Sequence, residues 1–514
     1  SEAEAAGCER GEQRAALAAL AEEAVAGRAE KWYRAVEFTK EERGAAQAAL
    51  VRESVSELRA RLPLLSVQEI RAAADEALYQ RVRSLMLEPE ARPDTISRVD
   101  GRSEGQLRPL HAEVGTLPAP HGSALFARGD TASLATVTLG PRDDSMRALS
   151  LDGESESFFF LHYSFPPYST NEVGRTSGIN RRMIGHGALA EKALARVMPS
   201  DVEFPYTVRV ACETTGSDGS SSMASVTAGA LALMDAGVPL KAPVAGISVG
   251  LISDVNPHSC SPATAMGKYR LLTDIKGLED HFGDMDFKVA AARSGLTAVQ
   301  LDVKHPALPV DVLLEAFDQA VESCGAVLDR ATAELPEPRA SVKAHAPRAF
   351  TARVALEERG TVLSHGGSVL RDIERRTGAR VRMEEDMLFV FVEPEGEEEA
   401  RQLVQRLTST VDVGSVTTAR VVGVRDFGYL VEFGFNKEGL LHISELTHER
   451  VENPLELLAV GDLVEVKCLA KDHIGRYKMS RKALLPQNAD PGSVGAKRPA
   501  PPPPPSPTDF MDDD

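Results

Sequence analysis

The chain has 514 residues, 43% of them hydrophobic, and a formal net charge of −18. That length is enough for several domains, and no uninterrupted apolar run approaches the roughly 20 residues of a membrane-spanning helix. The acidic balance excludes nucleic-acid binding over the whole surface and leaves it to local basic patches, while five cysteines at 8, 212, 260, 324 and 468 without a CxxC pair argue against a zinc site or a disulfide framework. In chain order, residues 1–92 are rich in Ala, Glu, Arg and Leu. Apolar residues at helical spacing, such as Val51, Val55, Leu58 and Leu62, predict an all-helical bundle there. From 93 to 335 the pattern turns to β-rich runs (Ala132–Leu139, Phe158–Phe165, Pro243–Ile252) mixed with helices, which predicts an α/β domain.

Two segments of that domain carry chemistry. Asp218-Gly219-Ser220-Ser221-Ser222-Met223 leads into a small-residue apolar stretch, Ala224 to Ala236, that reads as a buried helix entered from a Gly/Ser loop. Free N–H groups at a helix start attract anions, and clustered hydroxyls add donors, so the loop suits inorganic phosphate; alone, it would read as a capping loop or linker. The second segment, Leu278 to Lys288, crowds Asp280, Asp284, Asp286 and Lys288 around Gly283. Carboxylates that close repel one another unless a cation joins them. Oxygen ligands without nearby Cys favour Mg2+ (or Mn2+), which bridges protein carboxylates to substrate phosphates. The other reading of this run is a solvated acidic loop.

Together with His121-Gly122-Ser123-Ala124-Leu125-Phe126-Ala127-Arg128-Gly129-Asp130-Thr131 and Asn180-Arg181-Arg182-Met183-Ile184-Gly185-His186-Gly187, these segments resemble the second catalytic domain of the polynucleotide phosphorylase family, within the ribonuclease PH superfamily. The resemblance runs, in the family's order, from the helical region before Arg92 to about Lys482. It implies a phosphate-dependent 3′-to-5′ exoribonuclease acting on single-stranded RNA and inorganic phosphate, releasing nucleoside diphosphates and reversible as untemplated polymerisation. Asp280 and Asp286 are then the metal ligands and, with Lys288 and His186, the catalytic set; Ser220, Ser221 and Ser222 hold phosphate, Ser221 and Ser222 foremost. Arg181 and Arg182 match residues that bind RNA phosphates, and Arg128 can reach phosphate as well. On residues alone, alternatives stay open: a salt-bridge site for the arginine pair, an N-cap or core hydrogen bonder for His186, and a structural Arg-Gly-Asp turn for Arg128.

The Pro/Ala/Lys-rich stretch Pro336 to Pro347 reads as a linker. Across 345–411, the run Val362-Leu363-Ser364-His365-Gly366-Gly367-Ser368-Val369-Leu370 resembles the core of a KH domain, whose glycine loop clamps a nucleic-acid backbone. Gly366 and Gly367 are the candidate RNA contacts, and Ser364 stands where the first glycine is expected. Residues 412–485 resemble an OB-fold barrel of the ribosomal S-one type, in which Phe427, His442, Asp472 and Arg476 match RNA-binding positions; Phe427 could instead be core. Leu430 takes a second aromatic position, with Tyr429 beside it. The tail 486–514, with Pro501–Pro505 and Asp512–Asp514, is expected to be disordered.

The expected fold is thus multidomain α+β: an all-helical linker bundle, a ribonuclease PH-like α/β core domain, a KH domain and an OB-fold β-barrel. Family members carry a first ribonuclease PH domain ahead of the helical segment, and nothing here corresponds to it. With the start at Ser1, that suggests a fragment. The family also implies a homotrimer without a membrane span, working in mitochondrion, plastid or bacterial cytoplasm, the mitochondrion preferred here. A catalytically idle RNA-binding scaffold and a hydrolytic nuclease are the competing readings; the serine loop counts against the latter, since water needs no anion pocket.

Overall fold

Two of the first three helices open on the same local device. The computed structural model begins with α1 (Glu2–Tyr33), α2 (Lys40–Arg61) and α3 (Val67–Met86). Thr39 before α2 and Ser66 before α3 each accept the N–H three residues on, where Glu42 or Glu69 returns a carboxylate to the cap's own N–H. A capping box of this kind is worth about 1 kcal/mol. Residues 2–88, 98–151, 153–175, 180–255, 267–304, 308–355, 359–408, 412–433, 437–448, 457–471 and 477–485 are described by the structure. They fall into two compact units, 1–346 and 347–514.

In the first unit the helices bury Val25, Leu58, Ile70, Leu78 and Val82 against one another, and the same apolar cluster takes in Ile252, Leu272, Ile275 and Phe282 from the following α/β part. A buried cation strengthens that join. Arg83 of α3 donates to both carboxylate oxygens of Asp284 (2.7 and 3.0 Å) and to the carbonyls of Phe282, Ser253 and Val255. The expected boundary near residue 92 therefore divides this unit in sequence but not in packing.

The α/β part holds two sheets. β1 (Leu110–Val114), β2 (Gly122–Arg128), β3 (Thr131–Gly140), β6 (Phe159–Ser164) and β7 (Thr207–Gly216) form one in the order β1-β2-β3-β7-β6, with β6 parallel to β7 and the other pairs antiparallel; β4 (Met146–Ser150) and β5 (Gly153–Ser157) make a separate hairpin. The second sheet, β11-β10-β8-β9, is antiparallel and contains β8 (Ala245–Ser253), β9 (Tyr269–Thr273), β10 (Met285–Ala292) and β11 (Gly295–Val303). Three longer helices and one short one complete the unit: α4 (Arg181–Ala195), α5 (Ser221–Asp235), α6 (Gly277–Phe282) and α7 (Val310–Glu334). Helix α5 packs against both sheets, and every residue in it is buried. Its small side chains follow from that position, since a helix enclosed on all sides has no polar face.

The segment read as a linker is strapped down. Arg339 and Lys343 pair with buried Asp235 at the end of α5, each at 2.8 and 2.7 Å, and the Arg339 N–H donates to Met234 O. Burial would raise the Asp235 carboxyl, and the hydrogen bonds from Lys343, Ser123 N–H and Arg339 bring it below its ordinary range.

In the second unit, β12 (Arg348–Arg353), α8 (Arg359–Thr377), β13 (Arg380–Glu384), β14 (Met387–Val392) and α9 (Glu397–Thr408) make an antiparallel sheet in the order β12-β14-β13 with two helices. Gly367 within α8 has a left-handed φ of 81°, a value that glycine adopts without steric cost. After it, β15 (Val416–Arg425), β16 (Gly428–Phe433), β17 (Lys437–His442), β18 (Leu463–Lys471) and β19 (Tyr477–Ser480) close into a barrel, β15-β16-β17-β19-β18, around Val421, Tyr429, Val431, Leu441, Val466 and Met479. This is the expected OB-fold barrel.

Candidate active site

The serine loop turns at a strained point. Ser220 caps α5 in the left-handed conformation (φ 54°, ψ 42°), which costs a non-glycine residue about 1–3 kcal/mol and persists only where the surroundings impose it. Gly219 before it (φ 100°) lies so close to the 275–277 backbone that a Cβ would sit 2.6 Å from Ile275 O. Three carbonyls of the loop are pinned from below. Arg108 donates to Asp218 O at 2.9 Å, Thr131 Oγ1 to Gly219 O at 3.1 Å, and Arg128 to Ser220 O at 2.8 Å. Asp218 N–H also donates to Thr131 Oγ1, at 2.9 Å, while the first N–H groups of α5 have no partner within the helix, as an anion site requires.

Asp274 organises those arginines. Its buried carboxylate accepts from Arg108 Nε and a terminal guanidinium nitrogen at 2.9 and 2.7 Å, from the Arg108 N–H at 3.0 Å and from Arg128 at 3.0 Å. Burial pushes its pKa up, but Arg128 and Arg108 more than reverse this and hold it far below the usual carboxylate range. Arg128 is thus fully buried. Its expected contact with RNA phosphate is corrected to support of the loop, because no face of the guanidinium reaches solvent.

The hydroxyls divide unevenly. Ser221 Oγ lies 2.7 Å from Tyr163 Oη, whereas Ser220 Oγ and Ser222 Oγ are buried without a hydrogen-bond partner among the described residues. Leaving a buried hydroxyl unpaired costs about 1–3 kcal/mol, so two at one helix start mark a place for a ligand.

Strand register brings the acidic segment to the same place. Gly246 of β8 packs on Met223 of α5, and the same face of β8 carries Ser248 and Gly250, paired across the sheet with Lys288 and Asp286 of β10. Opposed residues point to one side, so Asp286, Lys288 and Ser248 face the start of α5. Lys288 Nζ pairs with Asp286 Oδ2 at 2.9 Å; Asp286 Oδ1 and Ser248 Oγ are buried and have no partner among the described residues. Burial raises the Asp286 carboxyl, Lys288 opposes this, and Asp280 and Asp302 raise it further. Asp302 lies directly across β11 from Asp286 and was not singled out in the sequence. Asp280 sits exposed on α6, which is tied to the serine loop by Lys276 Nζ–Asp218 Oδ2 at 2.8 Å and by Gly277 N–H donating to Asp218 O.

Among the described residues no group of three or more His, Cys, Asp or Glu side chains is set to hold a metal. A bare buried carboxylate oxygen beside further carboxylates nevertheless fits a hard cation that completes its shell with substrate oxygens.

Helix α4 supplies the remaining side chains. Asn180 caps it through its side chain, Arg181 and Arg182 occupy its exposed first turn, and the Arg182 guanidinium lies over the Phe165 ring, 4.5 Å from its centroid. His186, one turn on, has Nδ1 3.4 Å from Tyr163 Oη. Burial foremost, then Lys288 and Arg182, push its pKa down to about 4, so the imidazole is neutral at pH 7.

Residues 106–239 match the family described as "3' exoribonuclease family, domain 1", and residues 410–482 the "S1 RNA binding domain". The mitochondrial polyribonucleotide nucleotidyltransferase 2 of Arabidopsis thaliana is 45% identical over 405 residues, covering 78% of this chain and 40% of that protein. The polyribonucleotide nucleotidyltransferase of Bdellovibrio bacteriovorus is 41% identical over 420 residues, 81% of this chain and 58% of that one. Over most of its own length the chain is similar to polyribonucleotide nucleotidyltransferases. It spans about half the length of the curated relatives it matches.

In the S1 barrel the backbones of Phe427 and His442 lie on neighbouring segments: Gly428 pairs with His442 across β16 and β17, Ile443 N–H donates to Phe427 O, and Phe427 is 52% exposed. That exposure rules out a core role for Phe427. Tyr429 is fully buried in the barrel and offers no stacking surface. Asp472 and Arg476 lie outside the described residues. Tyr163, Asp274, Arg108 and Lys276 also escaped the sequence reading. Tyr163 sits in a run of strand-forming aromatics, and nothing local marks the others as neighbours of a loop 50 to 110 residues away.

Proposed function

We propose that this chain carries the phosphate-dependent catalytic centre of a 3′-to-5′ exoribonuclease, which removes nucleoside diphosphates from single-stranded RNA and runs in reverse as untemplated polymerisation. The observation that carries the reading is the pair of buried, unpartnered hydroxyls, Ser220 and Ser222, at the start of α5 opposite Asp286 and Lys288. A hydrolase would leave that anion pocket without purpose. Inorganic phosphate accepts from the two hydroxyls and from the N–H groups of the helix start, where the helix dipole adds to the attraction. Lys288 supplies fixed positive charge beside it, and Arg181 and Arg182 grip RNA phosphates at the mouth. Mg2+ or Mn2+ on Asp280 and Asp286 would neutralise the scissile phosphate and the leaving 3′ oxygen as a Lewis acid. Holding two mutually repelling anions in line is most of the task, as in phosphoryl transfer generally.

RNA capture falls to the second unit. The order β12-α8-β13-β14-α9, with Gly367 in a left-handed conformation beside Gly366, supports a KH module, and exposed Phe427 and His442 support base stacking on the S1 barrel. We also keep the helical segment as the linker bundle of the family and a homotrimer as the assembly. Plant mitochondrial and bacterial relatives support work in a mitochondrion or a bacterial cytoplasm. The test is product analysis: RNA incubated with inorganic phosphate should yield nucleoside diphosphates and be spared without it. Monophosphates formed without phosphate would overturn the reading.

A further inference from the structure

Tyr163 joins two parts of the site that lie far apart in the chain. It is the penultimate residue of β6, only 8% exposed, with its ring stacked on Phe165 at a centroid separation of 6.3 Å. Its Oη lies 2.7 Å from Ser221 Oγ and 3.4 Å from His186 Nδ1, the Tyr163 and His186 rings meeting edge-on at 5.4 Å. A phenol has one proton, so Tyr163 donates to one of these neighbours and accepts from the other. Thr214 also comes within hydrogen-bonding reach of the phenol, and two arrangements engage Ser221, Tyr163 and His186 as one chain. In one, Ser221 donates to Tyr163 and Tyr163 to Nδ1, which leaves the imidazole proton on Nε2. In the other, Nδ1–H donates to Tyr163 and Tyr163 to Ser221 Oγ, which frees the Ser221 proton for an outside acceptor and leaves Nε2 bare.

An anion in the serine loop accepts the Ser221 proton and so selects the second arrangement. We propose that Tyr163 is a positioning residue that couples phosphate occupancy at Ser221 to the tautomer of His186, turning Nε2 from a hydrogen-bond donor into an acceptor when the loop is filled. This rests on the phosphorolytic reading above. No proton is gained or lost overall: the imidazole gives its Nε2 proton to solvent and takes one from solvent at Nδ1. A bare Nε2 accepts from a protonated phosphate oxygen or a ribose hydroxyl, which a protonated Nε2 cannot do. The surroundings suit such a switch. Burial, Lys288 and Arg182 keep His186 neutral, and burial, partly offset by the Ser221 hydrogen bond, raises the Tyr163 phenol so that it keeps its proton.

The experiment uses the whole chain with 15N in its histidine rings and inorganic phosphate alone as probe, so it needs no turnover. The His186 ring proton should move from Nε2 to Nδ1 on saturation with phosphate, and Tyr163→Phe, which keeps the ring, should abolish the move. In the same variant phosphorolysis should lose about 10- to 100-fold in kcat, part of the ~10²–10⁴ that a positioned proton carrier supplies, while RNA affinity stays within about twofold. Ser221→Ala breaks the other end of the chain and should also abolish the response, should Tyr163→Phe weaken the fold. A wild-type tautomer indifferent to phosphate, or a Tyr163→Phe variant with wild-type kcat, overturns the proposal. Failure of the phosphorolytic reading would show separately, as monophosphate products.

Discussion

Asp286 divides its two oxygens, one to Lys288 and one left bare in a buried place. Asp286→Asn keeps the shape but removes the negative charge that a cation requires. It should abolish both degradation and polymerisation, with RNA affinity nearly unchanged in a filter-binding measurement; wild-type rates would refute the metal assignment. The hydroxyls make a sharper case. The double variant Ser220→Ala, Ser222→Ala removes the two unpartnered donors and leaves the Ser221–Tyr163 hydrogen bond in place. Each neutral donor to an anion is worth about 1.5–3 kcal/mol, so the KM for phosphate should rise at least about 10-fold per serine, RNA affinity changing little. His186 carries a pH signature. Its folded pKa of about 4 lies below the ordinary 6.5, so between these values the unfolded chain binds the extra proton and stability rises with pH. The wild-type Tm should fall as pH drops from 6.5 towards 4, and His186→Gln should flatten that part of the fall.

At the scale of elements, the serine loop is held by a brace assembled from β2, the segment before β1, and the turn after β9. Arg128→Met would leave the Asp274 carboxylate buried with one partner fewer, and breaking a buried pair costs about 3–5 kcal/mol. A drop in Tm of several degrees, together with a raised KM for phosphate, is the expected outcome; an unchanged Tm would show that Arg108 alone suffices. This brace also marks where the sequence stopped being informative. The serine loop, the buried helix after it and the acidic turn were legible because each is local: small residues in a row, a Gly/Ser entry, carboxylates around a glycine. The strands expected at Ala132–Leu139 and Pro243–Ile252 were legible for the same reason, through their apolar runs. Arg128 was misplaced because a basic residue in a Gly-Asp turn looks solvent-facing until the partner that buries it is known. That partner, Asp274, lies 146 positions away. Strand register, which sets Asp302 beside Asp286 and Ser248 beside Lys288, has no local signature either.

On the scale of the whole molecule, the proposed chemistry falls in residues 1–346 and the proposed RNA capture in 347–514. Removing 347–514 should weaken binding of long RNA far more than it slows cleavage of short oligonucleotides at saturation, and raising salt should mimic the deletion. Equal binding of long RNA by both forms at moderate salt would overturn this division. The helices at the start of the chain belong on the catalytic side of it, for Arg83 of α3 grips the turn between Asp280 and Asp286 through Phe282 O and Asp284. A shortened protein lacking residues 1–88 would therefore not be a minimal enzyme. It would strand the Asp284 charge and uncover Ile252, Leu272, Ile275 and Phe282 as a sticky patch. During synthesis the same dependence runs the other way: the helices leave the ribosome before the strands that cover them and must wait nearly two hundred residues, an interval in which chaperones would have a reason to hold the chain.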